Sequence, residues 1–179
     1  MHSSSRFKQF FRTFRREITF VVLFVIFFTA GLALHFSLRN YSRHLLVDTL
    51  NAKASAFIIN TIKPAEKVVA RQSVIGSGAF SIRIAEGCEG IEGVLLVVAA
   101  ILAFPMTWKL KILGAVLGSL VVYLANLARI TALYFTVKYR PGLFNLMHLQ
   151  IGQTFIIVIG ILFFVSWIYV TEKPGKKSG

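Results

Sequence analysis

Four long apolar runs constrain this chain more than any other feature. The first covers residues 18–38, with Thr29, His35 and Ser37 among its few polar interruptions. About 20 apolar residues suffice to cross roughly 30 Å of hydrocarbon as a helix. A basic segment precedes this run, as in a signal peptide, but no small-x-small cleavage site follows it. It reads as an uncleaved span. The other runs cover approximately 90–106, 112–134 and 149–170, and the first two of these are separated only by the tight turn Thr107-Trp108-Lys109-Leu110-Lys111. With 56% hydrophobic residues and seven acids in 179, a soluble domain is excluded. The expected fold is an all-α integral membrane protein of four transmembrane helices with a small extracytoplasmic subdomain.

Charge orients these spans. Twenty Lys and Arg against seven acids give a net charge of +13. A nucleic-acid ligand would require that charge on a soluble face. It lies instead beside the apolar runs, which excludes nucleic acid and favours anionic lipid. Arg6, Lys8, Arg12, Arg15 and Arg16 fill the arm 1–17, Lys109 and Lys111 the turn, and Lys173, Lys176 and Lys177 the tail 171–179. These three segments belong on the cytoplasmic side, which makes this a multi-pass protein of the cytoplasmic (inner) membrane. Loop 39–87 then lies outside.

Within that loop, Leu46, Leu50, Ala54, Phe57 and Ile58 recur at helical spacing over 43–60, predicting an amphipathic interfacial helix ended by Pro64. Phe80, Ile82 and Ile84 alternate with Ser81 and Arg83 behind Gly76-Ser77-Gly78, predicting a β-hairpin. The hairpin leads into a core of three spans over 88–170.

The core opens with EGCEGIEG at 86–93, which holds the only cysteine. A lone cysteine forms no internal disulfide. Cys88 reads either as a small buried hydrophobe or as a nucleophile. A catalytic thiol reacts as thiolate, and a place at a helix start predicts a lowered pKa. His148, at the start of the last run, has the chemistry of a proton acceptor and donor. Arg129 stands inside ANLARITALYF, where a charge costs a few kcal/mol unless paired or wetted. An arginine is no base, but it can hold a carboxylate, neutralise Glu92 or stabilise an oxyanion. The four-span topology brings Cys88, Arg129 and His148 to the outer face.

Glu89 and Glu92 favour a helix start, yet their charge opposes thiolate formation. Glu92 is one turn beyond Cys88 and is expected to pair with Arg129 or Arg83. Glu86 is expected to face solvent. Asn126 shares the Arg129 face and reads as a hydrogen-bonding support for the site or as an interhelical contact. Gly87, Gly90 and Gly93 leave room for close backbone approach. No ligand spacing suits a metal, and no cofactor is implied.

GCEGIEG heading an apolar helix, then NLARI, then NLMHLQIGQ resembles the exosortase/archaeosortase family, most closely its short exosortase H-type members. The resemblance spans roughly 80–153. It implies an outward-facing active site with Cys88 as nucleophile, Arg129 as partner and His148 as third member. It also implies substrates: secreted proteins with a C-terminal sorting tail of motif, transmembrane helix and basic cluster. The implied activity is cysteine-dependent cleavage through a thioester, completed by water or by an amine in transpeptidation. The alternative is a non-enzymatic helical protein, such as a channel subunit or assembly factor, in which Cys88 tolerates alanine. Paired aspartates, a serine elbow and a His-Glu zinc motif are all absent from the sequence, which argues against other intramembrane proteases.

Overall fold

The structure is a computed structural model that describes residues 14–43, 50–78, 80–84 and 88–172. Most of the basic arm, the tail from 173, and Glu86 and Gly87 lie outside these residues. The described elements are helices α1 (Arg15–Arg43), α2 (Ala54–Ile62), α3 (Ile91–Ala103), α4 (Trp108–Tyr139) and α5 (Gly152–Thr171). Strands β1 (Val69–Arg71), β2 (Val74–Ser77) and β3 (Phe80–Arg83) lie between α2 and α3.

Among the described residues, three segments are long and apolar enough to cross a membrane: Arg15–Leu38, Trp108–Tyr139 and Leu146–Thr171. The first buries none of its residues inside the protein. Its Val21, Val25, Leu34 and Phe36 are exposed. Such surface is stable in lipid and not in water. This is a mostly helical, multi-pass membrane protein.

The fourth expected span is shorter than the run 90–106. Helix α3 has 13 residues, a rise of about 20 Å against roughly 30 Å of hydrocarbon. Phe104 is extended, at φ −74° and ψ 137°, because the residue before Pro105 is disfavoured in the helical region. Antiparallel to α3 runs α4, with 32 residues. From Trp108 to Asn126, level with the start of α3, α4 rises about 27 Å. Its last turns therefore project well beyond α3.

The helices meet through small residues. Val97 fills a notch where a Cβ on Gly118 or Gly160 would lie 2.6 or 2.9 Å from its methyls. Val97, Ile101, Val122 and Ile156 form the buried centre. Without a solvent-driven hydrophobic force, this close fit is what holds helices together in lipid.

The projecting end of α4 carries a small subdomain. Its sheet is an antiparallel meander in the order β1-β2-β3, so the predicted hairpin has one strand more than expected. The extra turn passes through Gln72 at φ 52°, a left-handed position without the usual glycine signal. Ile75 and Ile82 pair across the sheet, and Ile75 joins Ala52, Ile59, Ile84, Cys88 and Tyr134 in one buried cluster. The thiol thus sits at the floor of this subdomain.

Glu66 clasps this subdomain to α4. It accepts hydrogen bonds from Tyr139 (2.8 Å) and Tyr134 (3.3 Å) and pairs with Lys138 and, at 3.5 Å, with Lys63. Hydrogen bonds from Lys138 and Tyr139 hold its carboxyl down from 4.5 to about 2. A carboxyl lowered on folding stabilises above its unfolded value, and that contribution fades as pH falls through the folded one. Proteolysis of this subdomain should therefore accelerate between pH 4.5 and about 2. Glu66→Gln should be susceptible at neutral pH and flatter across that window; equal curves for both proteins would disprove the clasp.

Candidate active site

The three predicted residues converge. Cys88 Sγ lies 3.5 Å from His148 Nδ1 and 3.8 Å from Nε2. The Arg129 Nη2 group points to Cys88 Sγ at 3.9 Å and donates to the His148 carbonyl at 3.3 Å. Each comes from a different element: Cys88 precedes α3, Arg129 is in α4, and His148 is in the widened turn Leu146–Ile151 before α5. Such turns widen the hydrogen-bond ladder and often re-aim side chains at functional positions. Phe144 stacks on the His148 ring, with centroids 5.1 Å apart.

Support comes from residues around this trio. Asn126, fully buried, donates from Nδ2 to the Cys88 carbonyl at 3.1 Å. Asn51 donates to the next carbonyl, that of Glu89, also at 3.1 Å. Gly90 then turns the chain into α3 at φ +76°, where a Cβ would lie 2.7 Å from Asn126 Cγ. Both strain and collision oppose any side chain there. Gly90→Ala should thus lower the folded yield in detergent far more than Gly142→Ala, a position with open space around it. Equal yields would show that the turn is not constrained.

Gly152 does the same for Arg129, since a Cβ there would lie 2.6 Å from Nε. That Nε has no hydrogen-bond partner among the described residues, nor does Asn126 Oδ1. Asn51 Oδ1 is likewise without a partner there, so the site keeps one buried donor and two buried acceptors uncommitted.

Two of the cavities that border the trio also carry other polar side chains. One, of about 280 Å³, is bordered by Cys88, His148, Ile82, Arg83, Ile84 and Leu133. The other, of about 200 Å³, is bordered by Arg129, His35, Glu89, Glu92 and Gln153. Arg83 accordingly reaches the thiol side and Glu92 the opposite side. The expected Glu92 ion pair does not form: neither Arg129 nor Arg83 lies within ion-pair distance among the described residues. Sharing a helical face with Cys88 did not give Glu92 a cation among the described residues. Glu89 instead approaches His35 Nε2 at 3.7 Å.

His35 and Asn51 were not singled out in the sequence. His35 was visible as an interruption of an apolar run. Asn51 carries no such signal, being 38 residues from its partner.

The thiol differs from the helix-start expectation as well. Burial raises its pKa above 9.0; Arg129 opposes this and Glu89 adds to it. The resting group is the neutral thiol. Alkylation of this single cysteine should reach half its limiting rate above pH 9.0. Glu89→Gln should move the midpoint down and Arg129→Gln up, because one charge opposes the thiolate and the other favours it. Unmoved midpoints would remove both charges from control of the thiol.

Among the described residues no group of three or more His, Cys, Asp or Glu is placed to hold a metal. What fold and site define is a polytopic membrane protein with a thiol, an imidazole and a guanidinium gathered where a short helix begins. The transmembrane exosortase family model matches residues 8–165, and the chain belongs to that family. No curated protein and no solved structure matches it.

Proposed function

We propose that this exosortase acts as a cysteine transpeptidase or protease of the cytoplasmic membrane, with its site facing outward. Its substrates are secreted proteins that end in a motif, a transmembrane helix and a basic cluster. The supporting observation is the approach of His148 (3.5 Å) and Arg129 (3.9 Å) to one buried thiol. The outward orientation rests on the basic turn at Lys109 and Lys111, which lies at the opposite end of α4 from the site. Anionic lipid neutralises that basic side.

His148 takes the Cys88 proton as Sγ attacks the scissile carbonyl. Arg129 faces the oxyanion that develops on the carbonyl oxygen. As the carbon–nitrogen bond breaks, His148 returns the proton to the departing amine and leaves a thioester on Cys88. Water or an amine then attacks the thioester, giving its proton to His148, and the thiol is restored.

Hydroxylamine tests the intermediate. A reporter bearing such a tail, processed in cells with hydroxylamine present, should yield product with a C-terminal hydroxamate by mass spectrometry. An unchanged product at saturating hydroxylamine would remove the thioester from the mechanism.

A further inference from the structure

Strand β3 is an edge strand, and its open side borders the nucleophile. The Ile84 N–H donates to the Ser73 carbonyl at 2.7 Å. Ile82 is paired with Ile75 and Phe80 with Ser77. In an antiparallel ladder, successive residues turn their N–H and C=O alternately toward and away from the neighbour. Phe80, Ile82 and Ile84 therefore face β2, while the backbone groups of Ser81 and Arg83 face the open side. Neither has a backbone partner there among the described residues. An unpaired edge is a template for another strand.

This edge leads into the active site. Ile82, Arg83 and Ile84 border the same cavity as Cys88 and His148. The rest of that wall, Ile130, Leu133, Val137 and Phe144, is apolar. On the outer face of the sheet Arg71 and Arg83 both align with Val74. Both arginines are exposed, and neither has an acidic partner among the described residues.

We propose that the substrate binds as a fourth strand on the open edge of β3, in the segment just outside its membrane helix. This deepens the protease reading and rests on it. The occupant is an extended peptide that alternates apolar side chains, placed in the cavity, with a carboxylate that meets Arg83. Backbone pairing supplies affinity and the alternate side chains supply selectivity. Pairing to Ser81 and Arg83 carries the scissile carbonyl past Ile84 to Cys88.

The test removes one edge donor without touching the β2 ladder. Ser81→Pro abolishes only an outward N–H, a place where a strand tolerates proline. Ala70→Pro makes the same change on the far edge, where Ala70 faces away from β2 by the same alternation. Processing of the tail-bearing reporter is followed in cells, with membrane levels measured. Ser81→Pro should slow it at least about tenfold, the scale of one or two backbone hydrogen bonds, and Ala70→Pro should not. Arg83→Glu should slow it similarly; a wild-type rate there removes the carboxylate from the occupant.

A wild-type rate for Ser81→Pro, with Cys88→Ala inactive, overturns strand docking and leaves the protease reading intact. If Cys88→Ala also processes the reporter, the protease reading falls. Should Ser81→Pro fail to accumulate, a photocrosslinking amino acid at Ser81 in the Cys88→Ala background decides. Capture of the tail from Ser81 and not from Ala70 supports the proposal, and no capture from Ser81 overturns it.

Discussion

Cys88→Ala is expected to abolish processing of a tail-bearing reporter, a loss on the order of a thousandfold or more. Its membrane level should stay near that of wild type. The size follows from the chemistry: without Sγ no thioester forms, and neither His148 nor Arg129 supplies a replacement nucleophile. The side chain is small and 4% exposed, within a cluster that includes Ile84, Ile130 and Tyr134. Truncating it to alanine leaves a void of about one sulfur atom, a modest packing loss. Activity and stability therefore separate. Cys88→Ser adds a sharper comparison, because it restores a hydrogen-bonding atom and not a thiolate. Both variants should be inactive. A non-enzymatic helical protein would give unchanged processing in both, and EGCEGIEG would then be a helix start above a buried thiol.

Those eight residues illustrate what local pattern reveals. A thiol ahead of an apolar helix, an arginine inside an apolar run and a histidine at the head of another are conspicuous because each opposes its surroundings. Chain order and membrane topology were enough to bring the three together. Contacts decided across the fold were not legible. Helix α3 ends at Ala103 although the apolar run continues, since hydropathy does not register the backbone break before Pro105. Glu92 shares a face with Cys88, but helical spacing says nothing about what lies opposite that face. The buried thiol has a raised pKa because burial outweighs the Arg129 charge, a comparison that requires knowing which atoms surround it. Asn51 and Glu66 act over 38 and 72 residues respectively. No periodic signal reaches that far.

Arg129→Gln is expected to reduce processing by about a hundred- to a thousandfold, the range for removing one preorganised oxyanion donor. Arg129 does two things at once. Nη2 points to the thiol and also donates to the carbonyl of His148, so in the proposed mechanism one guanidinium faces the developing charge and positions the residue that moves the proton. Nε has no partner among the described residues and provides a further donor in a buried setting, where an electrostatic interaction is stronger than in water. Glutamine retains polarity and loses both the positive charge and the fork. Arg129→Lys keeps the charge, but an ammonium has no planar fork with which to reach the thiol and the His148 carbonyl together. Lysine should therefore recover the pH midpoint of Cys88 alkylation in large part and the processing rate only slightly. That split distinguishes charge from geometry. If Arg129→Lys restored processing in full, the guanidinium would be acting as a simple counter-charge to the thiolate, and the oxyanion role would have to be reassigned to backbone N–H groups at the start of α3.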